Sequence, residues 1–266
     1  MGPTAREQRW PAKLGAMFQQ AGVVAAYRHR PPYPAEAFDV LAQLIVDEPR
    51  NVLDLGAGEG ALARPLAALA PRVGRVDALD ISAAMATAGR RRPGGTRANL
   101  RWIVGAAESA PLDGPYALVT AGASLHWMRW ETTLGRLGQI ISPDAVLAIV
   151  DHGCDGMPWD DALREVIVRH SRNPGYSASF SMEDELEAAG LLEIRGRHRT
   201  APVEFRQRAE DYLEQLHSTS SLARELMSAA EVAAFGQEVR EVVRPFVRDG
   251  LLDMTVTATL VWGRPL

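Results

Sequence analysis

The chain is nearly devoid of cysteine and of lysine. Cys154 is its one cysteine, which excludes an internal disulfide and any cysteine-based metal cluster. Lys13 is its one lysine, so arginine carries nearly all of the positive charge. No stretch holds about 18 consecutive apolar residues, and the first residues lack the apolar core of a signal segment. A soluble, cytoplasmic chain is expected on that basis. The net charge of −4 gives no general reason to bind nucleic acid or an anionic membrane. There is no internal repeat and no metal-binding motif. What is present is 266 residues with 47% apolar side chains. That suffices for one α/β domain carrying an insertion, or one domain with a small cap.

The most informative stretch is Val52-Leu53-Asp54-Leu55-Gly56-Ala57-Gly58-Glu59-Gly60. An apolar run ends in an aspartate and then in alternate glycines. Arg64 and a run of alanines and leucines follow. The pattern predicts a strand, a tight turn and a helix start. Glycines let the backbone turn and approach a ligand closely. A helix start leaves N–H groups unpaired toward that ligand. The stretch therefore suits a nucleoside cofactor at the first βα turn of a doubly wound sheet. Gly56, Gly58 and Ala61 also satisfy the loose dinucleotide pattern, with Asp77 and Asp80 about 20 residues on. Spacing alone does not separate NAD from S-adenosylmethionine. Asp54 does bear on it. A pyrophosphate beside the strand end would meet a like charge, whereas an ammonium and a sulfonium would be attracted.

With Asp54, Gly56, Gly58 and Gly60 in the order Asp-x-Gly-x-Gly-x-Gly, the chain resembles the class I S-adenosylmethionine-dependent methyltransferases. The resemblance runs from about Tyr27 to Val261. It implies a seven-stranded, Rossmann-like doubly wound α/β sheet, with S-adenosylmethionine as cofactor. Asp80, at the end of the second strand, then accepts the ribose hydroxyls, and Ile81 packs on adenine. At the turn after the third strand relatives often carry an acid directly after the glycine; here Ala106 stands there. The backbone N–H of Ala107 remains for adenine, with Glu108 as a substitute or a solvent-facing group. Tyr27-Arg28-His29-Arg30-Pro31-Pro32-Tyr33-Pro34 is similar to a segment that many small-molecule methyltransferases lay over the cofactor. Arg30 would pair with the methionine carboxylate, with Tyr27 beside it and Tyr33 toward substrate. The plainer reading of the same segment is a linker into the next helix.

Tyr116-Ala117-Leu118-Val119-Thr120-Ala121 reads as the fourth strand, leaving through Gly122-Ala123-Ser124-Leu125-His126-Trp127-Met128. Ala121 is expected at the cofactor and His126 beside the transferred methyl. This His-Trp exit resembles the branch that includes trans-aconitate-type methyltransferases. His126 is thus a candidate base and Trp127 a candidate substrate contact, against a hydrogen-bonded structural histidine and a core tryptophan. His152, at the fifth strand's exit, is a second catalytic candidate. Leu191–Arg199 reads as the sixth strand, and the alternating segment Asp253–Val261 as the seventh. Residues 207–248 between them are rich in helix formers and are expected to form a lid, or else a surface bulge or dimer contact. The polar run His217-Ser218-Thr219-Ser220-Ser221 would place His217 toward substrate.

The expected organisation is an N-terminal helix and strap over 1–34, a methyltransferase domain over 35–206 and 249–266, and a helical lid over 207–248. The expected function is methyl transfer to an oxygen or nitrogen of a small-molecule metabolite, by a monomer or homodimer with neither nucleic acid nor membrane as partner. Two alternatives stand beside it. One is an NAD-dependent oxidoreductase, against which Asp54 and the lack of a Tyr-x-x-x-Lys motif speak. The other is a non-methylating S-adenosylmethionine-binding protein.

Overall fold

The computed structural model describes residues 9–173 and 181–266. The expected turn at Asn173–Tyr176 lies outside these from residue 174 on, as does the start of the 1–34 segment. Eight strands run through the described residues: β1 (Val52–Leu55), β2 (Val76–Asp80), β3 (Leu100–Val104), β4 (Tyr116–Gly122), β5 (Ile141–Gly153), β6 (Leu192–Arg199), β7 (Val203–Arg208) and β8 (Leu251–Pro265). Seven of them form one path in the order β3-β2-β1-β4-β5-β8-β6. This is the seven-stranded doubly wound sheet that the sequence implied. β7 is an addition that sequence patterning did not reveal. It pairs antiparallel with the first half of β8, from Val203 opposite Val256 to Arg208 opposite Leu251.

The chain divides into two compact units. One takes Tyr33–His152, Ser179–Ala201 and Ala258–Leu266; the other takes the residues up to Pro32, Gly153–Ala178 and Pro202–Thr257. The expected lid, 207–248, falls in the second, together with the segments that hold Tyr27 and Arg30.

In the first unit, β1 is buried at every position, as a central parallel strand covered on both faces must be. It pairs in parallel with β2 on one side and β4 on the other. The order therefore reverses between β1 and β4, and ligands in open α/β sheets bind outside the strands' carboxyl ends at such a point. Leu41, Val52, Leu66, Val76, Leu118, Val150 and Leu260 belong to its apolar core. In the second unit the helices Ala209–His217 and Ala229–Val243 enclose a separate core of Trp159, Leu163, Tyr212, Leu213, Phe235 and Val239. Ser228 and Glu231 close a capping box at the start of the longer helix, which satisfies two N–H groups the helix cannot bond itself.

Candidate active site

The first βα turn is built from backbone. Gly56, Gly58 and Gly60 have φ of 65°, 55° and 78°, a region that costs residues with a side chain. Space enforces the same choice at Gly56, where a Cβ would lie 2.5 Å from the Cβ of Ser124. The turn is pinned at several points. The N–H of Ala57 donates to the Leu79 carbonyl at 2.9 Å, and that of Gly60 to the Ala57 carbonyl at 2.7 Å. The Ser124 hydroxyl donates to the Leu55 carbonyl. The last of these joins the β1 exit to the β4 exit.

Two carboxylates face this turn. Asp80 closes β2, and its Oδ2 accepts the N–H of Gly58 at 2.7 Å while its Oδ1 accepts the N–H of Ser82 at 2.7 Å. Ser82 in turn caps the helix Ala83–Arg90 by accepting the N–H of Met85. Asp54 is 1% exposed and accepts the Thr120 hydroxyl at 2.8 Å. Among the described residues no arginine, lysine or histidine forms an ion pair with either acid. Burial accordingly pushes the Asp80 carboxyl up, against two backbone N–H groups that lower it. Burial raises Asp54 to about 7, with the Thr120 hydroxyl opposing and the charge of Asp80 adding to the rise.

The neighbouring exits complete the site. Ile81 is 60% exposed, an uncovered aliphatic side chain directly after Asp80. Glu108 accepts the N–H of Arg129 at 2.8 Å, so it bridges the β3 and β4 exits. The Ala107 carbonyl accepts from Arg136 at 2.8 Å. Ala121 is fully buried near the end of β4. After it, Ala123 has φ of 47°, an uncommon conformation for a residue with a side chain and one that clusters at functional sites. His126 and Trp127 follow on a short 3₁₀ turn, both half-buried, with ring centroids 4.7 Å apart. Tyr33 stacks on His152 at 3.7 Å. Gly56, Gly58, Asp54, Asp80, Ile81, Ala107, Glu108, Ala121, His126, Trp127, Tyr33 and His152 thus all lie in one unit. Thr120 and Ser124 were missed by sequence reasoning. Thr120 could have been found from register, since it pairs directly with Asp54; a partner 69 residues from Leu55 leaves no sequence signal.

The remaining three expected residues belong to the second unit. Arg30 donates to the Ser218 hydroxyl at 2.9 Å, to the Ser218 carbonyl at 3.1 Å and to the Tyr27 hydroxyl at 3.2 Å, and its guanidinium lies 4.1 Å from the Tyr27 ring centre. Among the described residues it bonds neutral groups only. His217 lies against the apolar core of the second unit. It is 2% exposed, its Nδ1 faces the Leu222 carbonyl at 2.8 Å, and its ring meets Phe235 edge-on. A ring so enclosed packs its own unit, and burial lowers its pKa.

The loop and its acids fit a cofactor that brings positive charge and ribose hydroxyls. Comparison with known proteins agrees. Residues 52–144 match a family described as a methyltransferase domain. Uncharacterised methyltransferases of Mycobacterium bovis and Mycobacterium tuberculosis are 36% identical over 101 residues, 37% of this chain and 49% of theirs. The chain thus matches about half the length of these curated relatives. A proposed type II methyltransferase from Anaeromyxobacter dehalogenans superimposes with a TM-score of 0.62 at 20% identity, over 89% of this chain and 99% of that one. A methyltransferase from Geobacter sulfurreducens, solved with S-adenosyl-L-homocysteine, superimposes with a TM-score of 0.54 at 16% identity, over 95% and 98% of the two chains. At these identities the likeness is one of fold. No helix among the described residues is long and apolar enough to cross a membrane. Residues 52–144 thus match a methyltransferase domain, and the sheet order gives the chain the Rossmann-like fold of the S-adenosylmethionine-dependent methyltransferases on which it superimposes.

Proposed function

We propose that the protein transfers the methyl group of S-adenosylmethionine to an oxygen or nitrogen of a small-molecule metabolite. The observation that carries this reading is a buried carboxylate, Asp54, and a half-buried one, Asp80, beside a glycine turn and without a cationic partner among the described residues. A pyrophosphate there would add negative charge to two acids already destabilised by burial. A cationic cofactor would relieve them.

When bound, S-adenosylmethionine supplies an electrophilic methyl group. The chain's residues do the rest. Asp80 accepts ribose hydroxyls, Ile81 covers adenine with Ala107 and Glu108 at its rim, and Asp54 sits toward the ammonium. Gly56, Gly58 and Ala121 line the turn and strand end. Trp127 and Tyr33 lie toward the acceptor. His126 acts on a neutral acceptor as base or orienting group; a carboxylate acceptor needs no base.

Calorimetry with S-adenosylmethionine and with NAD tests the cofactor. S-Adenosylhomocysteine formation in a mass-spectrometric screen of small metabolites tests turnover. Binding of NAD alone, or binding of S-adenosylmethionine with no acceptor methylated, would favour the two rival classes respectively. With an acceptor in hand, His126→Ala should lower turnover about 10²–10⁴-fold while cofactor affinity holds. Near-normal turnover in His126→Ala and in His126→Gln would remove His126 from the chemistry.

A further inference from the structure

We propose that Tyr33 is a positioning residue for His152, holding the imidazole at the carboxyl ends of β4 and β5 so that His152 can take the proton of a neutral acceptor. The proposal rests on the methyl-transfer reading above. The two residues are 119 apart in sequence yet their rings stack with centroids 3.7 Å apart and planes 28° from parallel. Tyr33 is itself held on two further sides. Phe38 meets it edge-on at 6.4 Å. Its hydroxyl lies over Gly122, the last residue of β4, where a Cβ would come within 2.6 Å of that oxygen and 2.9 Å of Leu62 Cδ1. Gly122 pairs with Val150 of β5, two residues before His152. The His152 N–H donates to the Asp151 carboxylate at 2.8 Å, which fixes the backbone beneath the ring.

An imidazole held in one orientation loses less freedom when an acceptor docks against it. A tyrosine face also attracts a cation, so the stack favours the imidazolium that forms. In that step the acceptor's O–H or N–H bond breaks and an N–H bond forms on the His152 ring, as the acceptor atom becomes methylated.

Nuclear magnetic resonance of histidine-labelled protein tests the arrangement without turnover. In the wild type the ring protons of His152 should be shifted upfield by Tyr33, and S-adenosylhomocysteine should perturb them further. Tyr33→Phe should keep the upfield shift and Tyr33→Leu should abolish it. Gly122→Ala should reduce it by displacing the hydroxyl end of Tyr33, with both rings still present. Absence of the shift in the wild type, or its survival in Tyr33→Leu, would overturn the proposal. With the acceptor that the screen returns, His152→Ala should lower kcat by about 10², and Tyr33→Leu should lower it less. Adding Tyr33→Leu to His152→Ala should cost nothing more, because the two act as one unit. Independent, multiplying losses would overturn the positioning role. Failure of the wild type to bind S-adenosylhomocysteine in calorimetry would instead strike at the methyl-transfer reading.

Discussion

The two ends of the central strands bury acids in opposite ways. At the amino-terminal end, Asp77 of β2 is 0% exposed and fully answered by its own chain. Arg101 donates to its two oxygens at 2.9 and 2.7 Å, Arg75 donates at 3.2 Å, and the Tyr116 hydroxyl at 2.6 Å. At the carboxyl-terminal end, Asp54 and Asp80 are held by a hydroxyl and two backbone N–H groups. Hydrogen bonds orient a carboxylate there, but no described cation neutralises it. Burying a charge is costly unless it is paired. The paired acid is therefore part of the fold. The unpaired ones are kept at a cost to the fold, and their benefit comes with a ligand. On the proposed function, the same residue type, one strand apart or even on the same strand, serves structure at one end and binding at the other.

Substitutions should separate the two ends. Asp77→Ala should give the largest change in stability, about 3 kcal/mol. That is the low end of the cost of breaking a buried pair, because both arginines can turn to water. Its affinity for S-adenosylmethionine should be unchanged, as denaturant titration and calorimetry would show. Asp80→Ala should behave in the reverse sense. Each hydrogen bond to a charged group is worth about 1.5–3 kcal/mol, so S-adenosylmethionine affinity should fall at least tenfold. The unfolding midpoint should move less than in Asp77→Ala, since removing a half-buried charge without a cationic partner offsets the two lost N–H contacts. A stable Asp77→Ala protein, or an Asp80→Ala protein with normal affinity, would erase the contrast.

Much of this was legible in the sequence because it is local. The apolar run into Asp54, the alternate glycines and the acid closing the second strand are contiguous patterns. Asp77 and Asp80, three residues apart on β2, fall on opposite faces by their odd spacing. What was not legible depends on distant partners. β7 reads Val-Glu-Phe-Arg-Gln-Arg, with half its residues charged, and becomes a strand only because β8 runs fifteen residues and offers a free first half. His217 stands in a polar run that looks exposed. It is buried because Phe235, on a helix that starts twelve residues later, closes over it. Ser124 has no sequence signal of its role, and its hydroxyl ties two strand exits.

Asp54 gives the sharpest test, through protons. Its carboxyl is raised by burial from 3.8 to about 7 in the cofactor-free protein. Between about pH 4 and 7 the folded form therefore holds a proton that the unfolded chain has lost, and cofactor-free stability falls as pH rises through that window. A cationic cofactor favours the ionised acid. Calorimetry of S-adenosylmethionine binding near pH 6, in buffers of different ionisation enthalpy, measures the coupling directly. Binding should release a proton, and affinity should rise by up to about tenfold per pH unit between pH 5.5 and 7 before levelling off. Affinity that is flat across that range with no proton released, or that strengthens as pH falls, would contradict the reading that these acids await a positive charge.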